Sequence, residues 1–304
     1  MTEHKEGKVP LHGIIPPLVT PFDDRGEVDE SALRAVTGYM LQGGVHGVFV
    51  AGSTGEAYAM TDAQRLRALE TVIEEVNGRV PVFAGTARIT TEDTISLTRA
   101  AEAAGADVVS IVTPYFVTPS QDELYEHYRS VAEATKLPVI LYNNPSRTGV
   151  VIEPTTLQRL AEIDNIVGMK DSSGNMGNMV DAIRLCGSEF QLFCGFDMII
   201  FPTLAAGGAG AVPASANIAP RLIVDLYEHF RAGRYSESRR LQATLAPLRK
   251  AFSLGTFPAV LKEGLNLLGI PVGTPRLPVK PLEPEARESL RKILKELSIE
   301  PFHT

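Results

Sequence analysis

Val139-Ile140-Leu141-Tyr142 and, one polar stretch later, Ile166-Val167-Gly168-Met169-Lys170-Asp171 decide how this chain is read. Each opens as a continuous apolar run, rich in β-branched residues and too short for a helix, which is the pattern of a strand covered on both faces. The segment between them is long enough for a crossover helix, so the two runs read as parallel neighbours in one sheet. Working outward, the same unit recurs at 108–112, 80–84, 47–51 and 14–19 on one side and at 191–194 and 210–212 on the other. Eight such runs with amphipathic stretches between them predict an α/β fold, a (β/α)8 TIM barrel.

Local signals place several of the helices. Thr61-Asp62-Ala63-Gln64 and Ser120-Gln121-Asp122-Glu123 fit the capping-box pattern, in which two side chains satisfy orphan backbone donors reciprocally. Leu66, Leu69, Val72, Ile73 and Val76 fall on one helical face, as packing against a barrel requires. From Tyr235 onward the strand signal stops, and amphipathic stretches follow at 235–250, 256–268 and 284–297, with a proline- and glycine-rich loop at 269–281. The predicted organisation is an N-terminal tail over 1–12, a catalytic barrel over 13–234 and a C-terminal helical region over 235–304.

Composition narrows the function. A formal net charge of -7 argues against nucleic acid or an anionic membrane surface as the main partner, because either would call for a basic stripe. The first ten residues are charged and lack an apolar core, and no stretch reaches the roughly 20 apolar residues that cross a bilayer, so a cytoplasmic protein is expected. The two cysteines, Cys186 and Cys194, are too few for a disulfide framework and read as small buried hydrophobes. The six histidines are scattered without an H-x-x-x-H or H-x-H pair, which argues against a metal site. A small-molecule substrate and no metal are the expectation.

In β/α barrels the chemistry sits at the carboxyl ends of the strands. Here those ends read Gly52-Ser53-Thr54-Gly55-Glu56, Thr113-Pro114-Tyr115-Phe116, Tyr142-Asn143-Asn144-Pro145-Ser146-Arg147-Thr148-Gly149 and Lys170-Asp171-Ser172-Ser173-Gly174. Of the nine lysines, only Lys170 directly continues a strand. A lysine at a barrel mouth is partly desolvated, the circumstance that frees an amine to act as a nucleophile. The competing reading is a buried ion pair with Asp171 or Glu56. Gly52 and Gly55 permit a tight turn whose amides, with the Ser53 and Thr54 hydroxyls, could hold a carboxylate; an ordinary strand-to-helix turn would look the same. Tyr142 reads equally as a rim aromatic or an acid-base group. Arg147 is either a solvated cation or a bidentate carboxylate binder.

Taken together, G-S-T-G-E at 52–56, Y-N-N-P-S-R-T-G at 142–149 and V-G-M-K-D at 167–171 resemble the dihydrodipicolinate synthase and N-acetylneuraminate lyase family of class I, pyruvate-dependent lyases. The likeness runs from about residue 13 to 297. It implies that Lys170 forms the Schiff base and that Tyr142 shuttles protons and shields the imine. Ser53 and Thr54 would bind the pyruvate carboxylate, with Ser53 also serving the proton relay. Arg147 would hold the carboxylate of aspartate semialdehyde, and Gly195 and Val212 would line the pyruvate pocket with their backbone. Gly52 and Tyr115 complete the set of substrate-binding candidates. The resemblance further implies a homotetramer built from tight dimers, with no metal or organic cofactor.

Two departures stand out. Many synthases carry a second tyrosine after the strand-four proline that enters the neighbouring subunit's site, where this chain has Phe116, so either Tyr115 or water substitutes or the substrate differs. The segment after Glu56 lacks the histidines of the lysine-feedback pocket, so inhibition by lysine is not expected. The leading functional expectation is condensation of pyruvate with aspartate semialdehyde. The alternatives are a catabolic aldolase or dehydratase acting on a 2-keto-3-deoxy sugar acid or another hydroxylated 2-oxo acid, and an inactive barrel that only binds a 2-oxo acid.

Overall fold

Runs that are apolar on both faces must be covered on both faces, and in this chain helices cover one side of the sheet while the sheet's own curvature covers the other. The structure, a computed structural model, describes residues 11–299; residues 1–10 of the expected tail lie outside the described residues. The strands are β1 (Gly13–Ile14), β2 (Val48–Val50), β3 (Val82–Gly85), β4 (Val108–Val112), β5 (Val139–Asn143), β6 (Ile166–Asp171), β7 (Gln191–Cys194) and β8 (Gly210–Ala211). They pair in parallel in the order β1-β8-β7-β6-β5-β4-β3-β2. A parallel bridge between Pro17 and Phe49, with Phe49 N–H donating to the Pro16 carbonyl at 2.9 Å, joins the two ends and closes the (β/α)8 barrel. The first ladder is shorter than the run at 14–19 predicts, because Pro16 and Pro17 have no N–H to donate.

The side-chain period of two sorts each strand into an inner and an outer set. Phe49, Phe83, Val108, Ile140, Phe193 and Val212, together with Leu11 and Ile15, fill the barrel. Their neighbours, among them Val48, Val50, Leu141, Met169 and Cys194, face the helices in the larger outer core. The position inward of Ile140 along β5 is Tyr142, and along β6 the corresponding inward positions are Gly168 and Lys170. The packed aromatic floor therefore ends where the polar groups begin.

Both capping boxes form, at Thr61 with Gln64 on α2 (Asp62–Val76) and at Ser120 with Glu123 on α4 (Gln121–Glu133). On α2, Leu69, Val72 and Val76 are buried, Leu66 and Ile73 half-buried, and Arg65 is unexpectedly buried beside them. After β8 and the helix Pro220–Arg231, the C-terminal region supplies helices Tyr235–Lys250, Ala259–Leu267 and Pro284–Glu296. The second of these starts three residues later than the pattern predicts, since Pro258 occupies the position before it. None of the described helices is long and apolar enough to cross a membrane.

His127 on α4 is buried, with Nδ1 2.9 Å from Thr91 Oγ1 and Nε2 lacking a hydrogen-bond partner. Burial pushes its imidazole down from 6.5 to about 4. An unfolded chain would take up that proton near 6.5, so the stability present above that pH is lost as pH falls towards the folded value, by on the order of 3 kcal/mol at full effect. Urea midpoints at pH 7.5 and 4.5 should therefore drop further for the wild type than for His127→Asn, and equal drops would refute the assignment.

Candidate active site

Parallel pairing of β5 with β6 sets Tyr142 directly opposite Lys170 and Asn143 opposite Asp171. Alternation then sends the first pair into the barrel mouth and leaves the second to bond sideways. Lys170 is 5% exposed; its Nζ lies 4.0 Å from the Tyr142 ring centroid and 5.2 Å from that of Phe49. Aromatic faces thus supply much of its surroundings. Both carboxylates that could have tied it down are engaged elsewhere. Asp171 accepts from Asn143 Nδ2 at 2.9 Å, Ser173 N at 2.7 Å and Ser173 Oγ at 2.5 Å. Glu56 lies 2.6 Å from Lys262 Nζ and accepts from Arg276 N at 2.8 Å. Among the described ion pairs, none involves Lys170.

Tyr142 is buried as well. Its hydroxyl hydrogen-bonds with Ser172, Ser53 and Lys170 and accepts from Asn144 Nδ2 at 2.9 Å. Burial alone would push the phenol up, but the Lys170 charge and the bonds from Ser172, Ser53 and Lys170 outweigh it, leaving the phenol below its ordinary 10. Ser172, which the sequence reading passed over, also donates to the Gly195 carbonyl at 3.3 Å. Its only advance signal was its place two residues after the strand-borne lysine. Gly195 has no room for a side chain, because a Cβ would come within 2.1 Å of Ser172 Oγ and 3.1 Å of Lys170 Cε. Val212 is buried at the rim of the barrel fill, and its N–H donates to the Cys194 carbonyl at 2.8 Å.

The turn at 52–56 closes on itself through Gly55 N–H to the Gly52 carbonyl at 3.1 Å and Glu56 N–H to the Ser53 carbonyl at 3.3 Å. A Cβ on Gly55 would sit 2.9 Å from the Leu18 carbonyl oxygen, and one on Gly52 2.9 Å from Phe49 Cε1. The turn is held tight against the barrel wall, with Thr54 buried and Ser53 half-buried.

Arg147 and Tyr115 belong to separate contacts. Arg147 rides on the short helix Pro145–Thr148, is exposed, and places its guanidinium carbon 5.6 Å from the Phe257 ring centroid. Its charge is felt at the phenol of Tyr58. Tyr115 hydrogen-bonds with the buried Arg65, which also donates to the carbonyls of Ala87 at 3.0 Å and Ala57 at 2.6 Å. Phe116 is 93% exposed with φ 74°. The structure therefore gathers Lys170, Tyr142 and Ser53, adds Ser172, packs Gly195 against them, and sets Arg147 and Tyr115 apart. An amine, a phenol and hydroxyls gathered beside aromatic rings are suited to carbonyl chemistry through an imine. Among the described residues no group of three or more His, Cys, Asp or Glu side chains is placed to hold a metal ion.

The profile of the Dihydrodipicolinate synthetase family matches residues 10–297. A 4-hydroxy-tetrahydrodipicolinate synthase of Methanopyrus kandleri is 40% identical over 293 residues, covering 96% of this chain and 98% of the relative. The crystal structure of the dihydrodipicolinate synthase of Thermotoga maritima superimposes with a TM-score of 0.92 at 35% identity, covering 95% of this chain and 99% of that one. A prophage protein of the dihydrodipicolinic acid synthase family from E. coli K12, solved in complex with pyruvate, gives a TM-score of 0.92 at 33% identity over 95% of this chain and 99% of its own. The chain belongs to the dihydrodipicolinate synthetase family and is an enzyme of the Schiff-base lyase class that the family represents.

Proposed function

We propose that Lys170 is the nucleophile of a condensation between pyruvate and aspartate semialdehyde that yields 4-hydroxy-tetrahydrodipicolinate. The observation that carries this reading is an enclosed amine 4.0 Å from the ring of a hydrogen-bonded tyrosine and without a carboxylate partner among the described residues. The amine attacks the C2 carbonyl of pyruvate to give a carbinolamine, and loss of water leaves a protonated imine. Its positive nitrogen draws electrons from the methyl C–H, so loss of that proton yields an enamine. The enamine carbon attacks the aldehyde of the second substrate, forming the new carbon-carbon bond, and the amino group of that substrate then attacks C2, expelling the Lys170 amine and closing the ring of the product. No metal or organic cofactor is needed, since the imine itself is the electron sink.

Tyr142 is the proton carrier in this scheme, with Ser53 and Ser172 as its hydrogen-bonded neighbours. The turn at 52–55 and the hydroxyls of Ser53 and Thr54 hold the pyruvate carboxylate, and Gly195 and Val212 line the same pocket. Arg147 meets the carboxylate of the acceptor as a bidentate partner. Tyr115 takes an acceptor-side position, fixed by Arg65. The catalytic barrel spans 13–234, and the helical region begins at 235 and runs to the end of the described residues at 299. Relatives named 4-hydroxy-tetrahydrodipicolinate synthase at 38–40% identity over nearly the whole chain support the choice of acceptor. Phe116, which has no hydroxyl to offer, favours as second reading a relative that cleaves or dehydrates a hydroxylated 2-oxo acid. A cytoplasmic homotetramer is the proposed setting; the acidic net charge of -7 and the 93% exposure of Phe116 fit it.

Three outcomes test these roles. Borohydride added with pyruvate should trap an adduct on Lys170 alone, and Lys170→Ala should lower turnover by roughly three orders of magnitude or more without loss of fold. An adduct on any other lysine would overturn the mechanism. Tyr142→Phe should cut kcat by roughly 10²- to 10⁴-fold. In the wild type, ultraviolet titration should show one phenolate forming below pH 10, a signal that the lack of tryptophan leaves unobscured. Its persistence in the Phe variant would show that another tyrosine is responsible. Arg147→Ala should raise KM for aspartate semialdehyde by roughly 10- to 100-fold while leaving pyruvate trapping intact; loss of trapping would instead place Arg147 on the pyruvate side. Greater turnover in pyruvate release from a hydroxylated 2-oxo acid than in condensation would establish the second reading.

A further inference from the structure

Lys262 lies in the C-terminal helix Ala259–Leu267, far along the chain from the barrel motifs, yet it is 1% exposed and its Nζ stands 2.6 Å from Oε1 of the fully buried Glu56. Glu56 ends the turn at 52–56 in the left-handed region, with φ 57° and ψ 35°. A side chain with a Cβ adopts that conformation only when its surroundings hold it there. Here the groups that hold its carboxylate come from the C-terminal region. Arg276 N–H donates to Oε2 at 2.8 Å, and Lys262 Nζ donates to the Thr274 carbonyl at 3.1 Å while pairing with Oε1. The Arg276 guanidinium also donates to the carbonyls of Ala59 and Gly26 and to Gln64 Oε1, and stacks 3.9 Å over the Phe22 ring, which Lys262 Nζ approaches to 4.6 Å.

The backbone of Glu56 is tied in turn to the site, since its N–H donates to the Ser53 carbonyl and its carbonyl accepts from Ala59 at 2.8 Å. Any relaxation of Glu56 out of the left-handed region would carry the Ser53 and Thr54 amides and hydroxyls with it. A buried ion pair is weak as a source of net stability, because desolvation offsets most of its attraction. Its geometric effect is the stronger one, as the pair accepts only one arrangement of the turn.

We propose that Lys262, acting through Glu56, is a positioning residue for the turn that holds the substrate's carboxylate, so that the C-terminal helical region sets pyruvate affinity. The inference rests on the functional reading above. The test is the double variant Glu56→Gln/Lys262→Met, which removes both buried charges at once, compared with wild type for pyruvate KM, kcat at saturating pyruvate, rate of borohydride trapping and Tm. The pyruvate KM should rise by roughly tenfold or more and trapping at low pyruvate should slow in proportion, while kcat at saturation stays within about threefold and KM for the aldehyde is unchanged. Lys262→Arg should restore part of the affinity. A lower Tm with an unchanged pyruvate KM would reduce the pair to a structural staple and overturn the proposal. If the double variant fails to fold, Glu56→Gln alone carries the same expectation, and an unaltered KM there overturns it equally. Absence of trapping in the wild type would instead sink the functional reading, and this inference with it; normal wild-type trapping with unaltered KM in the variants sinks this inference alone.

Discussion

Everything at this barrel mouth depends on one register. In a parallel ladder, residues paired across two strands point to the same face, and β5 and β6 pair Tyr142 with Lys170. A slip of β6 by one residue would turn Lys170 outward towards the helices and bring Asp171 into the barrel beside Tyr142. Such a slip is costly, because it would also pull Met169 of β6 out of the outer core. The packing of the barrel and the placing of its reactive groups are thus one constraint.

The environment given to Lys170 differs from that of the other buried lysine. Lys262 meets a carboxylate at 2.6 Å, whereas Lys170 meets aromatic rings at 4.0 and 5.2 Å and a phenolic hydroxyl. Asp171, its neighbour in sequence, is kept away by the alternation of the strand and satisfied by Asn143 and Ser173. The two lysines differ in whether a neighbouring element brings a carboxylate to the amine. The separation is geometric before it is electrostatic.

Close packing does the remaining selection. Gly195 leaves the volume that Ser172 Oγ and Lys170 Cε use, and Gly55 brings the 52–56 turn against Leu18. Beside that turn Gly26 and Gln64 bind the Arg276 guanidinium, while the Arg276 N–H and Lys262 hold Glu56. Lys262 and Arg276, both from the region after residue 235, thus contact the turn that carries Ser53 and Thr54.

By itself the amino-acid sequence determined the eight strands, the capped helices and the late helical region, and it singled out the strand-borne lysine as a candidate. Each of these is written in local physics: apolar runs for buried strands, i to i+3 reciprocity for caps, and a period near 3.6 for packed helices. Only the tertiary structure decided that Arg65 is buried against Tyr115, that Ser172 joins the Tyr142 hydroxyl, that β1 is cut short at its prolines, and that Lys262 answers Glu56. Those are pairings between residues distant in the chain or on different elements, and no local period encodes them. A polar residue on a helix reads as solvent-facing until the fold brings its partner to it, which for Glu56 and Lys262 happens only once the barrel has closed and the last helices have packed across it.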